Sequence, residues 1–218
     1  VRPLDARAEV LVSPCDAIVG ACGRIGDDPG AQVFQAKGFP YPLTDLLGQG
    51  AHATELIDTL RGGTFVTLRL TSSMYHRFHA PTGATLHHVT YHSGDTWNVN
   101  PIALKRVEKL FCKNERAFIG TRLNGPGPLQ GQRVALVPVA AVLVASIRLH
   151  FLDVLFHLKY TGPKKIACNA SFERGQEMGW FQHGSTVIVL APKGFVLDAG
   201  LEQGSRVRMG QPLLRWQA

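Results

Sequence analysis

The chain has 218 residues, of which 45% are hydrophobic and 18% are charged, and this ordinary globular composition excludes a disordered or fibrous protein. Lysine and arginine outnumber aspartate and glutamate by 23 to 16, so a net charge of +7 favours anionic partners. The basic residues do not alternate with aromatic residues, which argues against nucleic acid and favours an anionic membrane surface, although solubility alone would also explain the charge. At this length one domain is the default prediction, spanning residues 1–218.

The first part of the chain is predicted to contain short strands and short helices. Residues 9–25 predict two strands around a turn-forming Ser-Pro pair. Residues 38–43 contain two prolines and predict a stiff apolar loop. Thr44 is expected to cap a short helix that Gly48 ends, and a second helix is predicted over residues 54–60.

The rest of the chain predicts mainly strands. Alternating side chains indicate strands over residues 63–72 and 85–92, with a polar segment at 75–81 between them. Helical spacing of leucine and valine is present over residues 101–111. Further β-branched segments lie at residues 116–121, 134–150 and 186–190. The predicted class is therefore α+β with β dominant, in which antiparallel sheets form a sandwich-like or barrel-like core with a few short helices.

A Gly-Ser-Thr tripeptide at residues 184–186 is the most informative motif. Alone it is typical of a turn, and it lacks the G-x-S-x-G pattern of an α/β-hydrolase. Other motifs accompany it in the chain: Ser13-Pro14-Cys15-Asp16, Lys37-Gly38-Phe39-Pro40-Tyr41-Pro42-Leu43, Tyr75-His76-Arg77-Phe78-His79-Ala80-Pro81, Val99-Asn100-Pro101, Phe111-Cys112-Lys113-Asn114-Glu115-Arg116 and Glu177-Met178-Gly179-Trp180-Phe181. In this order, from about Arg2 to Leu214, the chain resembles the phosphatidylserine decarboxylase family.

The resemblance implies a proenzyme that cleaves itself. By motif match, Asp16, His79 and Ser185 form the self-processing triad. His79 would take the hydroxyl proton of Ser185 while Asp16 orients the imidazole, and Ser185 would attack the carbonyl of Gly184. Glycine suits that position because a missing Cβ permits strained backbone angles and a close approach of the hydroxyl.

Cleavage would generate both the subunits and the cofactor. The resemblance implies a break between residues 184 and 185, giving a β chain of residues 1–184 and an α chain of residues 185–218. Ser185 would become a pyruvoyl group, which serves as the electron sink in place of pyridoxal phosphate and without a metal. His76, the first histidine of its motif, is assigned to substrate handling and decarboxylation.

The implied reaction is the decarboxylation of phosphatidylserine to phosphatidylethanolamine. The implied partners are phosphatidylserine, an anionic membrane surface, the cleaved α and β chains and a second copy of the chain in a homodimer, with no nucleic acid. The expected location is peripheral, on the cytoplasmic side of a bacterial inner membrane or on the mitochondrial inner membrane. Two alternatives stay open: a related pyruvoyl-dependent decarboxylase of a free aromatic amino acid, and, more distantly, a non-enzymatic carrier-like β module.

Several other residues have two interpretations. Phe39, Tyr41 and Leu47 would contact acyl chains near the mouth of the active site, or they pack in the core. The polar run of residues 114–116 is interpreted as a buried structural pair in preference to a catalytic group. Five histidines invite a zinc hypothesis, but they lack a carboxylate or cysteine at a recognised ligand spacing: His76, His79, His87, His88 and His92.

Overall fold

The computed structural model describes residues 2–35, 39–141, 146–157, 160–162, 164–182 and 184–217. The strands in these residues are β1 (Val10–Val12), β2 (Ala17–Arg24), β3 (Gln32–Phe34), β4 (Pro40–Pro42), β5 (Thr64–Leu70), β6 (Arg77–His79), β7 (Ala84–His92), β8 (Arg116–Leu123), β9 (Arg133–Ala140), β10 (Ser146–Leu149), β11 (Leu155–His157), β12 (Lys165–Phe172), β13 (Glu177–Phe181), β14 (Ser185–Ala191), β15 (Phe195–Leu197), β16 (Arg206–Val207) and β17 (Pro212–Trp216). The helices are α1 (Leu43–Leu47), α2 (Ala51–Leu60), α3 (Pro101–Leu104) and α4 (Leu110–Lys113), with a 3₁₀ turn at Gly127–Leu129.

An eight-stranded antiparallel sheet organises the molecule, with the strand order β12-β7-β8-β9-β14-β5-β2-β16. A four-stranded sheet has the order β11-β10-β13-β6, and a three-stranded sheet has the order β1-β17-β15. Strands β3 and β4 form a separate pair. The predicted α+β class with dominant antiparallel sheets is confirmed.

The two faces of the eight-stranded sheet bury different cores. On β14, Val187 and Val189 face a core that also contains Phe78 of β6. Ile188 and Leu190 alternate with them and face a second core, which contains buried side chains of α1 and α2. Because successive side chains of a strand point to opposite faces, odd and even residues of β14 belong to different environments. This alternation decides where the residues of the Gly-Ser-Thr motif project.

The region between β3 and α2 differs from its prediction. Residues 40–42 form a strand rather than a loop, because β4 pairs with β3. Gly38 of the predicted loop, like Lys37 before it, lies outside the described residues. Thr44 does not cap α1, since the helix already begins at Leu43 after Pro42. Gly48 ends the helix as predicted, with φ of 85°. The second helix begins at Ala51, before the predicted residue 54.

The helical spacing over residues 101–111 corresponds to two short helices, α3 and α4. Between them Lys109 has a left-handed backbone with φ of 52°, which interrupts a continuous helix. Asn100 caps α3, because its side chain accepts a hydrogen bond from the backbone N–H of Ala103. Among the described residues, none of the helices has both the length and the apolar character that crossing a bilayer requires.

Candidate functional site

Ser185 is the first residue of β14 and is fully buried. It lies between Leu70 of β5 and Ala140 of β9, and by alternation its side chain faces the same core as Val187. Its hydroxyl has no hydrogen-bond partner among the described residues. Buried hydroxyl groups are normally paired, because leaving one unpaired costs about 1–3 kcal/mol.

Gly184 immediately precedes this serine. A Cβ built at this position would lie 3.5 Å from the carbonyl oxygen of Leu70, an ordinary contact. The expectation that glycine permits strained backbone angles and a close approach of the Ser185 hydroxyl stays a prediction.

His79 is the last residue of β6 and is 6% exposed. Its Nδ1 donates to the carbonyl oxygen of Gly175 at 2.9 Å, so Nε2 is the nitrogen that carries the lone pair in the neutral ring. Nε2 is buried and has no partner in the part of the chain that the structure describes. Burial lowers the pKa of His79, opposed in part by the Gly175 carbonyl, so the ring is neutral near pH 7. The arrangement is that of an available base.

Asp16 precedes β2 and does not contact His79 directly. Its Oδ1 accepts a hydrogen bond from the backbone N–H of Met209 at 2.9 Å and forms an ion pair with Arg2. The Arg2 guanidinium also lies 5.4 Å from the centre of the Tyr75 ring, which stacks on His79 at 5.8 Å. Within the described residues, no hydrogen bond joins Asp16 to His79.

A cavity of about 410 Å³ connects these groups. It is lined by Arg2, Leu4, Tyr75, His79, Gly175 and Met209. Two of these residues, Arg2 and Met209, bind Asp16, although Asp16 itself is not a lining residue. Ser185 is not a lining residue either; it begins β14, an interior strand of the eight-stranded sheet.

His76 lies three residues before His79, immediately ahead of β6, and is half-buried. Its Nε2 is 3.3 Å from the carbonyl oxygen of Ser72, and its own carbonyl accepts a hydrogen bond from the backbone N–H of Phe181 at 2.9 Å. Its Nδ1 is buried without a hydrogen-bond partner among the described residues. Because Phe181 ends the strand that leads to Gly184, this contact ties the histidine motif to the Gly-Ser-Thr motif.

The three polar residues at positions 114–116 are all buried. Asn114 donates to the carbonyls of Trp97 and Ala140. Arg116 donates to the carbonyls of Leu46, Cys112, Asn114 and Asp45, so a buried hydrogen bond joins Arg116 to Asn114 within the run. These contacts agree with the structural interpretation of Asn114 and Arg116.

Glu115 is the polar residue whose importance the sequence pattern did not indicate. It is fully buried, and neither carboxylate oxygen makes a hydrogen bond of standard geometry with a described residue. Burial, opposed in part by the nearby Tyr91 hydroxyl, raises the pKa of Glu115 to about 7. Its carbonyl accepts from the N–H of Ala140, the residue that pairs with Ser185. A titratable carboxyl therefore lies two strands from the candidate nucleophile.

Thr186 projects to the opposite face of the sheet from Ser185. It lines a mainly apolar cavity of about 170 Å³, together with Arg69, Gln35 and Leu104. The Thr186 hydroxyl is buried and has no partner in the described ranges.

The proposed acyl-chain residues are mostly core residues. Tyr41 and Leu47 are each 1% exposed and pack in the second core with α1 and α2, while Phe39 is half-buried. Leu47 lies on the buried face of α1, and Tyr41 is the inward-facing residue of β4. Tyr41 and Leu47 are therefore placed as the packing interpretation expects, and their contact with lipid stays a prediction.

The histidines are spread over several elements. His92 donates from Nε2 to the carbonyl oxygen of Leu47 at 2.9 Å, whereas His88 stacks edge-on against His52 of α2. Among the described residues, no three histidine, cysteine, aspartate or glutamate side chains are grouped closely enough to hold a metal ion.

Comparison with known proteins gives the class of the chain. The family described as phosphatidylserine decarboxylase matches residues 1–215. The phosphatidylserine decarboxylase proenzyme of Myxococcus xanthus is 35% identical, over 97% of this chain and 71% of that protein. Proteins of the same name from Aliivibrio salmonicida and Shewanella frigidimarina are each 36% identical; they cover 97% and 99% of this chain, which spans 72% and 73% of their lengths. The chain is therefore a decarboxylase, an enzyme of the carboxy-lyase class.

More specifically, the chain belongs to the phosphatidylserine decarboxylase family. The resemblance drawn from the motifs is confirmed. The similar proteins are named as proenzymes, that is, as precursors of the active form.

Proposed function

We propose that this chain converts phosphatidylserine to phosphatidylethanolamine with a pyruvoyl group made from its own Ser185. One observation carries the proposal: the hydroxyl of Ser185 is fully buried, unpaired among the described residues and adjacent to the Gly184 carbonyl. An unpaired buried hydroxyl costs free energy and is uncommon in a residue that only packs. The position therefore fits a residue that is held for reaction and can carry a pyruvoyl group.

Self-cleavage in this proposal uses His79 as the base. Its Nε2 accepts the proton of the Ser185 hydroxyl as Oγ attacks the carbonyl carbon of Gly184. The amide C–N bond breaks while an ester C–O bond forms. Loss of the Cα proton of Ser185 and cleavage of its Cβ–O bond then release residues 1–184 with a new carboxylate. Water replaces nitrogen in the remaining dehydroalanine, ammonia leaves, and residues 185–218 begin with a pyruvoyl group.

Asp16 is the third member of the proposed triad and acts through its charge. The Gly175 carbonyl already fixes the ring of His79, so orientation does not depend on Asp16. The carboxylate of Asp16, which two residues of the cavity lining bind, stabilises the imidazolium that forms when His79 takes a proton. Arg2 opposes this effect because its guanidinium pairs with Asp16 and lowers the pKa of His79.

The pyruvoyl group supplies a carbonyl that withdraws the electrons left behind when carbon dioxide departs. In this proposal His76 handles the substrate, because its Nδ1 is a buried polar atom without a partner in the described residues and its segment is bonded to the end of β13. Glu115 lies near Ser185 in the sheet, because its carbonyl accepts from the N–H of Ala140, the residue that pairs with Ser185. Its raised pKa keeps a protonated fraction at neutral pH, which suits a proton donor within the same buried layer.

We also propose that the surface around α3 docks on an anionic membrane, peripherally, on a bacterial or mitochondrial inner membrane. Three large apolar side chains are exposed there: Phe34 at 47%, Trp97 at 48% and Ile102 at 63%. The neighbouring Lys105 and Arg106 are exposed and complement anionic headgroups. The cavity that contains Thr186 is lined by Leu104 and Lys105, so it adjoins this surface.

The test of the proposed function is carbon dioxide release from phosphatidylserine vesicles, from free serine and from free aromatic amino acids. We expect release from the vesicles alone, abolition by Ser185→Ala and full activity in the control Ser171→Ala, which changes an exposed serine of β12. Release from an aromatic amino acid alone would favour the soluble-substrate alternative. Full activity of Ser185→Ala would overturn the mechanism.

A further inference from the structure

A second polar cavity lies over β7, β8 and β9, at the start of α2. Its volume is about 380 Å³. It is far from the processing site, because Arg133 begins β9 whereas Ala140, the partner of Ser185, ends it. Seven residues of strand at about 3.3 Å each separate the two by roughly 23 Å. The cavity is also on the α2 side of the sheet, opposite to the face of Ser185.

Two stacked histidines form the floor of this cavity. The rings of His52 and His88 meet edge-on with their centres 3.8 Å apart. The Nε2 atoms of both rings are buried, and neither has a hydrogen-bond partner among the described residues. Two unpaired polar atoms on side chains that line one cavity leave a hydrogen-bonding demand that a bound molecule can satisfy.

The contact of Arg133 with His52 decides which kind of ligand fits. Arg133 Nη2 lies 3.5 Å from His52 Nδ1, and because a guanidinium only donates, Nδ1 is the acceptor. In the neutral ring the proton is then on Nε2, so that nitrogen is a donor. A donor cannot bind a metal ion through that nitrogen, whereas it can donate to an oxyanion.

The charges around the histidines also favour an anion. Glu55 is paired with Arg133 at 2.6 Å, so its carboxylate is already neutralised. Burial and the positive charges of the surroundings lower the pKa of His52 to about 4, and they also lower that of His88. The charged and titratable groups that face the pair are His52 and Glu55 of α2, His87 and His88 of β7, Arg122 of β8, Arg133 of β9 and Lys165 of β12. The positive charges that disfavour protonation of the two histidine rings also attract a negatively charged ligand.

We propose that this cavity binds a phosphate-class oxyanion, with His52 and His88 as donors and with Arg122 and Arg133 as its charged partners. The ligand is either free phosphate or the phosphate of a lipid headgroup. This site is independent of the decarboxylation proposed above, because no residue is shared between them.

The direct experiment follows the imidazole C–H resonances of His52 and His88 by NMR during a titration with inorganic phosphate at constant ionic strength. We expect phosphate to cause a saturable shift of these resonances that chloride does not reproduce. The affinity for phosphate should be at least about tenfold weaker in Arg133→Gln, because that variant loses about one charge-assisted hydrogen bond to the ligand. Arg122→Gln changes an exposed side chain, so it provides a second variant with little effect on folding. The matched control is Arg206→Gln, an exposed arginine of β16 at the other end of the sheet.

A parallel arm distinguishes the two sources of phosphate. Vesicles of phosphatidylcholine, with and without phosphatidic acid, are sedimented with each variant. If the protein sediments with vesicles only when phosphatidic acid and Arg122 or Arg133 are present, and free phosphate does not shift the histidine resonances, the ligand is a lipid headgroup. If free phosphate shifts the resonances and the vesicles do not sediment the protein, the ligand is a soluble phosphate. The proposal is overturned if neither occurs, or if Arg206→Gln weakens binding as much as Arg133→Gln.

Discussion

His79 donates from Nδ1 to the carbonyl oxygen of Gly175 across 2.9 Å. A backbone carbonyl is a fixed acceptor, so this bond selects one tautomer and leaves Nε2 as the basic nitrogen. Burial lowers the pKa of the ring, so the base remains neutral to a lower pH than a solvated histidine. The proposed self-cleavage depends on both properties.

Replacing Arg2 by Gln is expected to change the pH dependence of self-cleavage. Arg2 is one of the positive groups that lower the pKa of His79, so its removal raises that pKa. Cleavage requires neutral His79, and its rate falls as the pH falls through the pKa of the ring. The acid limb of the rate profile in Arg2→Gln should therefore lie at higher pH than in the unaltered chain.

The measurement for Arg2 is the cleavage rate against pH by gel densitometry. Arg7→Gln is the control, because Arg7 is an exposed arginine that pairs with Asp5. Superimposable profiles of Arg2→Gln and the unaltered chain would contradict the assignment of His79 as the base.

Glu115 makes the folded state sensitive to pH. Its pKa is raised from 4.5 to about 7, so the unfolded chain loses this proton at lower pH than the folded chain. Stability is therefore lost as the pH rises from about 4.5 to 7, by up to about 3 kcal/mol, and does not change further above that range.

Glu115→Gln removes this titration. The difference in unfolding free energy between the variant and the unaltered chain should grow in favour of the variant by up to about 3 kcal/mol from pH 5 to pH 8, because a neutral amide has no charge to desolvate. Urea unfolding at the two pH values measures the difference. Glu173→Gln, at an exposed position, should show no such gain, and an equal gain in both variants would disprove the explanation.

Gly48 is expected to tolerate no side chain. Its backbone has φ of 85° and ψ of −177°, a region that is essentially restricted to glycine, and an added Cβ would lie 2.4 Å from Cε1 of His92. Gly50 has a similar backbone, with φ of 138° and ψ of 155°, but nothing lies within 4 Å of its Cβ position. Gly50→Ala should cost about 1–3 kcal/mol, and Gly48→Ala should cost more, because it also displaces the His92 bond to Leu47. Equal losses of unfolding free energy in the two variants, measured by urea unfolding, would show that the His92 side chain moves aside without cost.

The docking surface at α3 predicts weaker vesicle binding when its apolar side chains are removed. Trp97→Ser and Ile102→Ser together should lower the partitioning onto anionic vesicles by at least about tenfold. Each apolar side chain contributes about 1.5–3 kcal/mol when fully inserted, so even partial insertion of the two exceeds the roughly 1.4 kcal/mol of a tenfold change. Leu4→Ser is the control, because Leu4 is also exposed but lies at the cavity of His79. Unchanged vesicle binding of the double variant would exclude this surface as the membrane-docking site.

The family and its motif residues could be predicted from the sequence, because each motif is a local run of residues. The polar contacts of the site could not. The bond between His79 and Gly175 joins residues 96 positions apart, and Asp16 meets the N–H of Met209 across 193 positions. No spacing rule connects such residues, since sheet pairing alone brings them together.

The local errors have a similar cause. Thr44 has the residue type of a helix cap, but Pro42 precedes the helix and α1 begins one residue earlier. Tyr41 and Leu47 looked available to lipid because the prolines suggested a loop, whereas pairing of β4 with β3 buries Tyr41 in the second core. The run of residues 114–116 predicted a buried structural pair without saying which residues bond, and the structure shows that Arg116 donates to backbone carbonyls, one of which belongs to Asn114.

The most direct measurement is the intact mass of the chain under denaturing conditions, with and without borohydride, for the unaltered chain, Ser185→Ala and His79→Ala. The account predicts two fragments that break after Gly184, with a blocked and reducible N-terminus on the smaller one. Ser185→Ala should stay whole, and His79→Ala should be slowed by roughly 10²–10⁴-fold. A single uncleaved mass for the unaltered chain after prolonged incubation, or normal cleavage in Ser185→Ala, would contradict the account.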